Sequence, residues 1–258
     1  MTSIGETLYS ACLTGQTREV RRLLSGGADV NYADEQGLTL LMAASMNGHV
    51  EVVDMLLAAE ANVNVGCDEG DTALHWASLN GLVEVVDMFL AAEANVHAAN
   101  DDGHTALHFA SLKGCLVIVQ HLLASGADIH AVNTKGFTSM MVASQYGHDQ
   151  VVQWLLSAGA KVNAALPVGA TALSLASEKG HAKVVKTLLS AGAAVNAARS
   201  DGVTSLTIAA QNGHSDTVEL LLTHGAEVNQ TCKNEQGQTP TAATMALAKG
   251  HLACLRLL

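Results

Sequence analysis

The fold class this sequence predicts is an all-α repeat solenoid of stacked helix-turn-helix units joined by hairpin-like fingers. Three observations predict it. Thr39, Thr72, Thr105, Thr138, Thr171 and Thr204 recur every 33 residues. Around each Thr one glycine stands two residues before and another nine after, from Gly37 and Gly48 to Gly202 and Gly213. Each unit then runs into a second apolar segment, such as VEVVDMLL or DQVVQWLL. The length of 258 residues would suit two ordinary domains, and the regular period removes that prior.

Each element follows from its residues in chain order. The Thr side-chain oxygen caps a first helix, whose apolar residues recur at helical spacing. The second glycine supplies a tight turn, and a second helix returns antiparallel. Segments between units, such as NYADEQG at 31–37, are polar and carry Asn, Asp and Gly, which suits a projecting turn. Neither helix can bury its stripe within one unit, so the units must stack. In the first unit Glu19 and Arg22 replace the apolar Val52 and Met55 of the second, as a capping unit requires. Near the other end, the interval from Asn229 to Gly250 is four residues longer than that from Asn196 to Gly213. GHLACLRLL then stops inside a helix, so the chain is expected to be cut there and Cys254, Leu255 and Leu258 to be exposed. Glu60 and Glu93 stand where Gly126, Gly159, Gly192 and Gly225 stand elsewhere, which places two glutamates in left-handed backbone.

The segments GDTALHWASLNG at 70–81 and GHTALHFASLKG at 103–114, followed by LLASGADIH at 122–130, resemble ankyrin repeats. The resemblance covers essentially the whole chain as about eight units, and implies helix-turn-helix units with β-hairpin fingers in a curved solenoid. It implies a single array over 1–258, with 1–33 an N-terminal capping repeat, 34–231 six 33-residue repeats and 232–258 an incomplete last repeat. The family's Pro after the Thr is Leu40, Ala73, Ala106, Ser139, Ala172 or Ser205 here. Ala is a good helix former, and Pro at the first helical position helps without being required.

Composition excludes several functions. Apolar residues make up 49% and charged residues 14%, and thirteen Lys and Arg against 24 Asp and Glu give a net charge of −11. A nucleic acid backbone would be repelled. The first twenty residues do not read as a secretion signal, and no stretch nears the 18 apolar residues of a membrane span. The five cysteines lack C-x-x-C spacing, so reduced thiols in the cytoplasm or the nucleus are expected. Of the twelve histidines, His49, His148, His181, His214 and His251 share one position after the inter-helix glycine. Their spacing of roughly 8–10 Å between neighbouring units suits bonds to loop backbone rather than a metal. His97 and His130, with His104 near them, are a weaker candidate. No nucleophile stands with a base and an orienting group, and no phosphate-binding glycine motif occurs. The expectation is a non-enzymatic chain with no cofactor and no metal.

What the repeat does not constrain is the fingers and the residues flanking each first helix. Glu35, Asp68, Glu69, Asp71, Asp101 and Asp102, with His104, line one edge of the second to fourth units. Phe137 and Tyr146 then bring aromatic groups to exposed register positions, whereas Trp76, Phe109 and Trp154 occupy aliphatic registers and read as core. The reading is a monomeric protein-protein interaction module whose groove and fingertips hold a protein or peptide, basic with an apolar anchor. The alternative is the regulatory or targeting segment of a longer enzyme, channel or effector whose active part lies beyond residue 258.

Overall fold

The computed structural model describes residues 3–232 and 239–258. Among them are sixteen α-helices in eight consecutive pairs, gathered into two compact units, Met1–Asp128 and Ile129–Leu258. In the first unit the pairs are α1 (Ile4–Leu13) with α2 (Thr17–Ser25), α3 (Leu40–Met46) with α4 (Val50–Ala58), α5 (Ala73–Asn80) with α6 (Val83–Ala91), and α7 (Ala106–Lys113) with α8 (Leu116–Ala124). In the second they are α9 (Ser139–Gln145) with α10 (Asp149–Ser157), α11 (Ala172–Lys179) with α12 (Ala182–Ser190), α13 (Ser205–Asn212) with α14 (Ser215–Thr223), and α15 (Ala242–Lys249) with α16 (Leu252–Leu257). Within each unit the odd-numbered helices pack in one row and the even-numbered in another.

The caps form as the sequence predicts. Thr39, Thr138, Thr171 and Thr204 accept from the backbone N–H three residues on, and Ser3 with Glu6 forms a reciprocal box at α1. The Val-Val-x-x-Leu registers are core: Val52, Val53 and Leu56 are buried in the first unit, and Val184, Val185 and Leu188 in the second. Glu60 and Glu93 do adopt left-handed backbone, at φ 62° and 59°.

Three expectations need correction. The fingers carry less pairing than full hairpin strands would: each has a single antiparallel bridge, Ala33 with Thr39 in the first and Ala198 with Thr204 in the last. In some of the fingers a side chain shapes the turn. Asp34 Oδ1 takes the N–H groups of Gln36 and Leu38, and Asn133 Oδ1 those of Lys135 and Phe137, so these donors do not go into strand pairing. Cys254 is fully buried, and Leu255 and Leu258 half-buried. Cys254 shares the register of Val52 and Glu19, which faces the preceding helix pair. The exposed leucines of the last pair are Leu247 and Leu252, each 60% exposed, with Leu257 at 40%. Finally, Trp76 and Phe109 are only half-buried, because indole and phenyl rings outgrow a register that covers Val142 and Leu175, and Trp154 is 41% exposed in a register where Met55 and Leu220 are themselves only half-buried. Part of the long interval after Asn229 lies outside the described residues.

Candidate functional site

Hydrogen bonds to main-chain atoms hold successive helix pairs in place. Asn64 Oδ1 accepts from the Asn95 N–H (2.7 Å) and Asn64 Nδ2 donates to the Glu93 carbonyl (3.4 Å). Asn163 and Asn196 repeat this in the second unit, to Ala194 and Gly192 and to Glu227 and Gly225. At the same register in the first unit His97 takes the place of Asn. Three of the histidines after the inter-helix glycine bond main chain, at carbonyls in the last turn of the first helix of the preceding pair rather than in a loop. Nε2 of His49, His181 and His214 lies 3.1, 3.1 and 3.0 Å from the carbonyls of Leu13, Gln145 and Glu178. A carbonyl only accepts, so Nε2 carries the proton.

The fingers of the first unit are laddered by main-chain bonds, Asp68 N–H to Gln36 O (3.1 Å) and Asp101 N–H to Glu69 O (3.0 Å). That ladder sets Glu35, Asp68, Glu69, Asp101 and Asp102, all exposed, along successive fingers. Asp71 differs from them. Its side chain is only 14% exposed, and Oδ1 accepts from Asn100 Nδ2 of the next finger at 2.9 Å.

Beside Asp71 the first turn of α5 carries His75, which is buried. His75 Nδ1 accepts the Thr72 N–H (2.9 Å) and Nε2 donates to the Ala98 carbonyl (3.0 Å), which fixes a neutral tautomer. Burial, outweighing the Ala98 bond and Asp71, holds its pKa below the usual 6.5. Nδ1 stands 3.7 Å from Asp71 Oδ1, yet its lone pair is already committed, so the two groups do not form an ion pair. Phe109 lies edge-on to His75 (centroids 5.6 Å apart), and His104 is 5.5 Å from Phe109 and 5.8 Å from His108. Asp71, His75, Trp76, Leu79 and Phe109 line a shallow pocket of about 180 Å³ including its open mouth.

The structure thus brings Asp71 and His104 to one aromatic cluster and sets the other carboxylates along the fingers. Phe137 and Tyr146 belong to the second unit. Phe137 is half-buried at a finger base, its N–H bonded to Asn133 Oδ1, and Tyr146, 54% exposed, ends α9. Trp76 and Phe109 were missed as surface groups. The available signal was their size where other units carry Val or Leu.

Repeated helix pairs coupled through main-chain bonds define a helical repeat protein. The family model for ankyrin repeats matches in three copies, over residues 8–100, 80–165 and 140–232, and the chain belongs to the ankyrin repeat family. A 40-residue stretch is 52% identical to protein phosphatase 1 regulatory subunit 12A of Gallus gallus. That stretch is 16% of this chain and 4% of that protein's length. Among the described residues no helix is long and apolar enough to cross a membrane.

Proposed function

We propose that this chain is a non-enzymatic, monomeric binding module that engages a basic protein or peptide along the acidic fingers of its first unit. The observation that carries the reading is the laddered row of exposed carboxylates, Glu35, Asp68, Glu69, Asp101 and Asp102. In a chain of net charge −11 such an edge attracts a cationic partner and sets its register. Phe137 and Tyr146 offer an apolar anchor on the second unit. The module acts as a single array in the cytoplasm or the nucleus.

The short match to a phosphatase regulatory subunit favours a second reading, in which the array is the regulatory or targeting part of a longer protein. Capture with the intact chain supplies the partner, and surface plasmon resonance at two salt concentrations tests the site. Asp68→Lys with Asp101→Lys is expected to slow association and flatten its salt dependence. Tyr146→Ala is expected to speed dissociation, by about 2 kcal/mol or more if the ring is a buried anchor. Unchanged kinetics in all these variants would move the site off the fingers.

A further inference from the structure

We propose that the pocket of Asp71, His75, Trp76, Leu79 and Phe109 is an arginine-accepting subsite, which takes one guanidinium of the partner between the aromatic rings and the Asp71 carboxylate. The inference rests on the reading of the first unit's acidic edge as the binding surface, and names the group that would be held at its centre.

Asp71 is a half-buried carboxylate without a cation. Asn100 serves Oδ1, His75 is tied up by Thr72 and Ala98, and among the described residues no donor reaches Oδ2. A carboxylate withdrawn from water in this way is stabilised by an incoming cation more than an exposed one is. The wall beside it is aromatic, and aromatic faces attract cations, best of all a planar guanidinium that can stack while donating from its edge. Lysine presents a compact, strongly hydrated charge and matches this geometry less well.

The pocket thus sets a carboxylate without a cationic donor beside aromatic side chains, and an arginine supplies that donor. The second unit has no counterpart: Phe137, Val142 and Leu175 stand where Asp71, Trp76 and Phe109 do, and one repeat further on Ala170, Leu175 and Ile208. Exposed Asp68, Glu69, Asp101 and Asp102 add long-range attraction for further basic residues of the same segment.

The test uses the full chain carrying Trp154→Phe, which leaves Trp76 as the sole tryptophan. The probe is a short capped peptide with spaced arginines in a Gly-Ser background, with its citrulline counterpart as the uncharged isostere. The arginine peptide is expected to change Trp76 emission saturably and the citrulline peptide to leave it unchanged. By calorimetry at low salt, Asp71→Ala and Trp76→Leu are each expected to weaken the arginine peptide ~tenfold or more. Both variants install the residue of an equivalent position, Ala170 or Leu175, and circular dichroism checks the fold. Affinity that survives both substitutions but is lost in Asp68→Lys with Asp101→Lys would overturn the pocket and leave the acidic edge standing. If no arginine peptide binds at low salt, the pocket and the edge fall together.

Discussion

The two compact units share one repeat and differ in how regularly it is kept. In the second, each left-handed position after an outer helix is glycine: Gly159, Gly192 and Gly225. Every turn between paired helices there is followed by histidine: His148, His181, His214 and His251. In the first, two of the left-handed positions are Glu60 and Glu93, and Gln16, Leu82 and Cys115 replace three of the histidines. The same unit carries the acidic fingers and the aromatic pocket. The irregular frame and the distinctive surface thus fall together, as expected if the first unit gave up stability for its surface.

Glycine substitutions break that comparison with the largest effect. A Cβ on Gly180 would sit 2.5 Å from the His214 ring at φ +73°, whereas one on Gly48 would meet only the Leu82 side chain, at 3.1 Å and φ +71°. Gly48→Ala is expected to cost about 1–2 kcal/mol for the left-handed backbone alone. Gly180→Ala adds a clash worth about 1–3 kcal/mol. Urea denaturation of both variants reads the difference, and equal losses would mean that the histidine is not a fixed lid.

Next in size is relief of strain in the first unit. Glu60→Gly and Glu93→Gly are each expected to raise stability by about 1–2 kcal/mol. Hydrogen exchange should place the gain within residues 1–128, and neutral or harmful outcomes would show that the carboxyl side chains compensate. Below that, His214→Leu, which copies Leu82, removes the bond to the Glu178 carbonyl and should cost about 1 kcal/mol in chemical denaturation.

The smallest expected effect is in pH dependence, since a single imidazole carries it. Burial lowers the pKa of folded His75 below the ordinary 6.5. On acidification the unfolded chain therefore takes up the proton first. Its contribution is fully present above about pH 6.5 and is lost as pH falls through the lowered folded-state value. His75→Ser copies Ser174, whose hydroxyl accepts the Thr171 N–H at 2.9 Å. The variant should lose less stability than the parent between neutral and mildly acidic pH, the other histidines being common to both.

The helix pairs were legible because their determinants are local: a capping Thr, a turn glycine and an apolar stripe each act within a few residues. Finger geometry was not, since Asp34 and Asn133 use their side chains to turn the backbone and the same composition also suits a hairpin. Cys254 was placed on the wrong face because its apolar register was recognised without asking which neighbour it addresses, although Glu19 at the same register held the answer. The carboxylates of the site could be read one by one. The pocket could not, because it depends on volume at Trp76 and Phe109 and on an Asp71–Asn100 bond between fingers.

The asparagine bonds have a further consequence. Asn64, Asn163 and Asn196 reach peptide groups of the following helix pair and no side chain there. Any residue but proline offers such an N–H and every residue the carbonyl, so these bonds make no demand on the neighbour's side chains. What matches one pair to the next is left to the apolar stripes between them and to side-chain pairs such as Asp71 with Asn100. At the asparagine joints an internal pair can be exchanged without re-matching the bonds, while the packed faces on either side still have to fit.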